Sequence, residues 1–253
     1  MKPLAVPQIA ALLWAFSLST HIVRADPRPP DNTPNSPSQA QALPKIVDLR
    51  NAFKQWGLPI KGQLRRDTCA VFTFTGALEY ALAKGTGKIG ARLSEEYLNW
   101  AANQTGDDNE DGASYEDLIS GFDKWGICQS KLMPYQMRYQ STQPTQDALE
   151  SAQEIWGLGF ERHWIARRTI NGLDDSHIAQ MKKVLASGYP LCAYGRDHSI
   201  LLVGYVEDVK NPDESYFITR NSALKRYETI YCDASKDEFG SVLWIELPSQ
   251  KTE

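Results

Sequence analysis

The segment from Cys69 to Lys88, CAVFTFTGALEYALAKGTGK, constrains this chain more than any other. Val71, Phe74, Leu78 and Leu82 recur at helical spacing, and the residues between them are mostly apolar too, so the segment predicts a helix buried on nearly every side. Such a helix needs other layers packed around it. A chain of 253 residues with 42% hydrophobic content can supply one sizeable core, or two lobes sharing a cleft. Asp67 and Thr68 are capping residue types and the exit carries Gly85 and Gly87, which places Cys69 in the first turn. There the free backbone N–H groups and the positive end of the helix dipole favour a thiolate. By local context alone Cys69 is equally well a small apolar residue filling a core.

Regions outside the core read differently. Lys2, the apolar run Ile9–Leu18 and small residues at Val23 and Ala25 form the pattern of a signal peptide cleaved after Ala25. Pro7, His21 and Arg24 interrupt the run, which is too short for a spanning helix. No second run of spanning length follows, so the expectation is a secreted or periplasmic protein with no membrane span after cleavage. Residues 26–42 begin DPRPPDNTPNSPSQAQ, a Pro- and Ser-rich composition that builds no core and reads as a linker. The folded part is therefore expected over 43–253. A formal net charge of −4 with no cluster of Lys and Arg argues against a nucleic-acid partner.

Cysteines stand at 69, 128, 192 and 232, none in a C-x-x-C pair and none at finger-like spacing from a histidine, so neither a metal nor another cofactor is expected. If Cys69 stays free, at most one disulfide can form among Cys128, Cys192 and Cys232. His163 and His177 have no motif around them and read as surface or structural residues, and His21 lies in the leader.

A series of motifs in order resembles the papain-like cysteine peptidases. Leu43–Arg50 (LPKIVDLR) and Leu58–Gln63 (LPIKGQ) resemble the start of the mature enzymes, whose Gln stands six positions before the nucleophile as Gln63 stands before Cys69. Leu93–Leu98 (LSEEYL) resembles the family's Leu-Ser-Glu-Gln-x-Leu. Asp111-Gly112 with the following YEDLISGFDKWGI resembles its Gly-Gly loop and helix, and Met133-Pro134-Tyr135 its Tyr-Pro-Tyr. Asp197–Tyr205 (DHSILLVGY) resembles the strand bearing the catalytic His, and Tyr216–Ser222 (YFITRNS) the strand ending in the catalytic Asn. His198 follows Cys69 by 129 positions, at the edge of the spacing of about 130–150 found in the family.

The resemblance implies an α+β, papain-like two-lobed fold, with a helical lobe over about 43–154 and an antiparallel β lobe over about 155–253. It implies an exported peptidase whose Cys69 forms an acyl-enzyme, with His198 as base and acid and Asn221 orienting the ring. The side-chain amide of Gln63 and the Cys69 N–H would hold the oxyanion. Gly112 and the carbonyl of Asp197 would meet an extended peptide or protein substrate. Two other readings use the same scaffold: a different acyl-transfer enzyme, amidase or transglutaminase-like, and a non-catalytic binding domain.

The chain departs from the family in several places. The usual Cys-Gly-Ser-Cys-Trp is Arg66-Asp67-Thr68-Cys69-Ala70, which replaces a disulfide cysteine by Arg66 and removes the Trp. Asp67 puts a negative charge beside the thiolate, which Arg65 and Arg66 are expected to offset. Ser222-Ala223-Leu224 replaces Ser-Trp-Gly, so the Trp that covers the Asn–His bond is missing. These changes mark a divergent member, of bacterial kind. Ahead of the mature-like start stands only the polar linker, too short to fold over a cleft: either the enzyme is exported without a built-in inhibitor, or a separate inhibitor protein restrains it, or it has little activity to restrain. Strands are expected over 190–194, 199–206, 216–220 and 241–247, from their β-branched and aromatic content.

Overall fold

The computed structural model describes residues 42–105 and 111–248; the leader and nearly all of the linker read from the sequence lie outside the described residues. In chain order the elements are β1 (Ile46–Asp48), α1 (Arg50–Gln55), α2 (Cys69–Thr86), α3 (Glu95–Asn103), α4 (Tyr115–Trp125), α5 (Gln146–Trp156), β2 (Glu161–Ala166), α6 (Asp175–Ala186), β3 (Leu191–Gly195), β4 (Ser199–Val206), β5 (Tyr216–Asn221), β6 (Arg226–Tyr231), α7 (Cys232–Glu238) and β7 (Phe239–Glu246). Helices thus fill the first part of the chain and strands dominate the second, as an α+β fold requires.

Every strand pairing is antiparallel, in the order β2-β7-β3-β4-β5-β6. β4 is the central strand. One of its edges is covered by β5, and the other by β3 over Ser199–Leu202 and then by β1 over Gly204–Val206. β1 can come that close only because position 204 has no side chain: a Cβ there would lie 2.2 Å from the carbonyl oxygen of Val47. The pairing with β5 shifts register between Leu202 and Gly204, and a bulge inserts one residue into the inward–outward alternation. Leu201 and Val203 accordingly pack with α2, while Leu202 and Tyr205 pack on the other face with Ile178, Met181 and Leu185 of α6.

α2 is the helix that the sequence predicts. Its residues from Ala70 to Ala83 are all buried, and Phe74 and Leu78 are 0% exposed. Full burial of one such apolar side chain contributes roughly 1.5–3 kcal/mol. The one acid in this stretch, Glu79, is also buried, and its carboxylate accepts from Lys61 Nζ at 2.7 Å and from the Leu93 N–H at 2.8 Å. Those partners make burial of the charge tolerable. Helix α2 closes at Gly87 in a left-handed cap whose N–H returns to the Ala83 carbonyl.

All four cysteines are free thiols. Cys128, Cys192 and Cys232 sit in three different packing clusters, so the sequence-based allowance for one disulfide among them is not used. Burial pushes the thiols of Cys128 and Cys232 up to about 12 and about 11, and that of Cys192 upward as well. None of these three is a nucleophile near neutral pH. Among the described residues no helix is long and apolar enough to cross a membrane.

Candidate active site

A cleft of about 700 Å³ is lined by Gln63, Cys69, Gly112, Asp197 and His198 together, with Asn103, Ser114, Asp117 and Tyr194 among the other walls. Five of the six residues singled out in the sequence therefore meet on one surface, and the sixth, Asn221, touches His198.

Cys69 is the first residue of α2, half-exposed at the end of a buried helix. Thr68 occupies the N-cap position, but its hydroxyl does not cap the helix. It lies 2.6 Å from the Tyr135 hydroxyl, which donates to the Gln63 carbonyl at 2.9 Å, so the Thr68 O–H is the donor of that pair. The helix N–H groups near Cys69 are thereby left without a side-chain cap. The turn before Cys69 is held by Leu64 at φ +59°, a left-handed conformation that an exposed leucine adopts at a cost of about 1–2 kcal/mol.

His198 lies one residue before β4, in the short connection from β3 whose closure is the bond from the Gly195 N–H to the His198 carbonyl. The sequence reading put it on the strand itself. Its neighbour Ser199 is fully buried, with its hydroxyl 2.6 Å from that of Tyr115. His198 Nε2 is 3.0 Å from Asn221 Oδ1, and Cys69 lines the same cleft. With Nε2 committed to Asn221, the nitrogen left for sulfur is Nδ1. The neighbouring Cys69 raises the imidazole above its ordinary value; burial opposes this, and Asn221 and Glu228 add to it.

Asn221 ends β5 and is 7% exposed. Its Oδ1 accepts from His198 and from the Ala223 N–H at 3.0 Å, while its Nδ2 donates to Glu228 Oε2 at 2.7 Å. That set of partners fixes which end of the amide faces the ring. It also assigns the Nε2 proton to His198 as donor, so Nδ1 is free to take a proton from sulfur.

Gln63, 7% exposed, is fixed at both ends. Oε1 accepts from the Ser222 hydroxyl at 2.7 Å and Nε2 donates to the Arg66 carbonyl at 2.8 Å. The amide has a second N–H proton, which remains for a ligand in the cleft.

One expectation is corrected. Arg66 does not offset Asp67. Its guanidinium is 3% exposed and is bound to Glu96 at 2.5 Å, to Asp111 at 2.8 Å and to the Gln136 carbonyl at 3.0 Å. Burial works against its charge, but the bonds to Asp111 and Glu96 outweigh it and hold the guanidinium charged. Gly112 has φ +110°, and a Cβ there would lie 2.2 Å from the Asp67 carbonyl, so glycine is required by the loop that precedes Cys69. Its N–H donates to Asn99 Oδ1 at 3.0 Å, which leaves its carbonyl as the backbone group to face a peptide.

Outside the cleft, Glu161, His163 and Glu246 bring their ligand atoms within 4.8 Å of one another and are the described residues able to hold a metal ion. His163 already bonds to Glu246 at 3.1 Å and stacks on Trp244 with ring centroids 4.3 Å apart, as a structural histidine would. His177 completes a capping box with Asp174 at the start of α6. Tyr135, Ser222 and Glu228 are the supporting residues that sequence reasoning missed. Tyr135 and Ser222 carried a signal, as the last residues of Met-Pro-Tyr and of YFITRNS; Glu228 carried none.

The solved structures decide the fold. Xylellain, a cysteine protease from Xylella fastidiosa, superposes with a TM-score of 0.63 over 82% of this chain and 87% of its own, at 18% identity. Digestive procathepsin L 3 of the Tenebrio molitor larval midgut gives 0.57 over 83% and 72%, at 19% identity. The fold is papain-like. In sequence, procathepsin L of Felis catus is 25% identical over 191 residues, which is 71% of this chain. The chain spans 57% of the length of that relative. No family model matches it. Within this papain-like frame the helical half supplies Gln63, Cys69 and Gly112, and the sheet supplies His198 and Asn221.

Proposed function

We propose that this chain is an exported cysteine peptidase. The observation that carries the reading is that Cys69 and His198 line one cleft beside Gln63, with His198 hydrogen-bonded to Asn221. In this mechanism Nδ1 of His198 takes the Cys69 proton and the thiolate attacks the scissile carbonyl of an extended peptide. The resulting oxyanion accepts from the Cys69 N–H and from the free N–H of Gln63. His198 returns its proton to the leaving amine, and water, activated by the same ring, hydrolyses the acyl-enzyme. Asn221 holds the ring in one tautomer throughout. Export rests on the leader pattern ending at Ala25. The chemistry calls for no cofactor.

Iodoacetamide labelling of Cys69 against pH tests this reading. Rapid labelling that persists well below about pH 7 is expected, with loss of that acid-side reactivity in His198→Ala. Labelling that rises only above about pH 8 would leave an ordinary thiol and overturn the peptidase. Turnover of a peptide library, abolished by Cys69→Ser, separates it from an amidase or transglutaminase-like enzyme.

A further inference from the structure

The catalytic reading leaves one charged side chain beside the triad without a role. Glu228 lies on β6 diagonally across from Asn221: the register pairs Asn221 with Arg226, and Glu228 is two residues further along the same face. Its two oxygens are divided. Oε2 accepts from Asn221 Nδ2 at 2.7 Å, and Oε1 accepts from Arg226 Nη2 at 2.8 Å and Nε at 3.1 Å. On the far side of the Asn221 amide is His198. In the family an indole shields the Asn–His bond from water, but here residues 223 and 224 are exposed and no aromatic ring stands in its place. Without that cover, an amide held only through Oδ1, by His198 and the Ala223 N–H, has nothing to engage Nδ2 except Glu228.

We infer that Glu228 is a positioning residue of the Cys69–His198–Asn221 triad: its carboxylate locks the Asn221 amide with Oδ1 toward His198. The inference rests on the peptidase reading of the site. The charged and titratable groups around the ring are Cys69 from α2, Asp197 beside it in the connection, and Glu228 with its counter-ion Arg226 from β6. The other flank of Glu228 faces a hollow bordered by Asp48, Arg50, Tyr216 and Tyr227, where Asp48 and Arg50 pair with each other. The carboxylate that reaches the ring through the Asn221 amide is thus Glu228, its charge tempered by Arg226. A negative charge one side chain away, in a partly hydrated setting, moves a titration by about half a pH unit.

The test follows the imidazole signals of the full chain by NMR as pH is varied, with selectively labelled histidine and His198→Ala for assignment. Glu228→Gln, which keeps an acceptor and loses the charge, is expected to lower the His198 midpoint by about half a pH unit, and less in high salt. Arg226→Ala, which unmasks the carboxylate, is expected to raise it. Unchanged His163 and His177 signals report an intact fold in each variant. A His198 midpoint within about 0.1 unit of the wild type in either folded variant would overturn the inference. Cys69→Ser provides the separate check on the reading beneath it. A midpoint unmoved by Cys69→Ser, but shifted by Glu228→Gln, would sink the thiolate–imidazolium pair and leave the role of Glu228 standing.

Discussion

Arg66→Met removes the cation at the centre of a buried cluster while keeping much of the side-chain volume. In the wild type the Arg66 side chain is 3% exposed and shares its charge between Glu96, also 3% exposed, and Asp111, 21% exposed. Stripping one partner from a buried ion pair costs about 3–5 kcal/mol, because the remaining charge stays desolvated and uncompensated. The partial exposure of Asp111 lets water relieve its share, so the loss is expected near the lower end, about 3 kcal/mol. For a domain of this size each kcal/mol corresponds to about 2–4 °C in Tm, which gives a fall of roughly 6–12 °C. Calorimetry on both proteins measures it, with a denaturant titration to check that the m-value is unchanged. Adding Glu96→Gln to Arg66→Met should recover part of the loss. A Tm drop of only about 2–3 °C, or no recovery in the double variant, would refute the argument and reduce the cluster to packing.

Gln63→Ala is expected to lower kcat by about 10²–10³, since it deletes an oxyanion donor, with iodoacetamide labelling of Cys69 nearly unchanged; a wild-type kcat would remove Gln63 from the mechanism. Gly112→Ala forces a methyl against the Asp67 carbonyl at a φ of +110°, and should cost about 1–3 kcal/mol together with activity, read by Tm and kcat/KM. The cleft is lined by Asp67, Asp111, Asp117 and Asp197 and by no Lys or Arg, and only Asp111 is paired with a cation. Peptides rich in Lys and Arg should therefore be cleaved with higher kcat/KM than acidic ones, by an advantage that shrinks with salt; equal rates for both would contradict it.

The helix headed by Cys69 was legible because its apolar spacing spans five turns, and the core strands β3, β4, β5 and β7 because each reads as a β-branched or aromatic run. β1 is three residues long, and β2 (ERHWIA) and β6 (RYETIY), at the sheet's edges, carry several charged and polar residues without strict alternation, so their sequences resemble loops. α6 lies inside the half that the sequence assigned to strands, its amphipathic pattern weakened by exposed charges. Among the site residues, Cys69, His198, Asn221 and Gln63 were reached through motif order. Arg66 was misjudged since the partners of a buried cation depend on residues 30 and 45 positions away. Glu228 could not be found at all, for its bond to Asn221 depends on the register of a hairpin.

The two bonds between Gln63 and Ser222, one from the Gln63 backbone N–H to the Ser222 carbonyl and one from the Ser222 hydroxyl to the Gln63 side-chain oxygen, have a mechanical meaning. Cys69 connects to His198, His198 to Asn221, Asn221 through a peptide bond to Ser222, Ser222 to Gln63, and Gln63 along the chain back to Cys69. The site is a closed ring of joints. An open string of contacts tolerates slack at each link, but in a closed ring a displacement at one joint must be taken up by all the others. The two halves of the molecule therefore cannot drift apart at the cleft by degrees, and the sulfur, the ring and the oxyanion donor come into alignment, or lose it, as one unit.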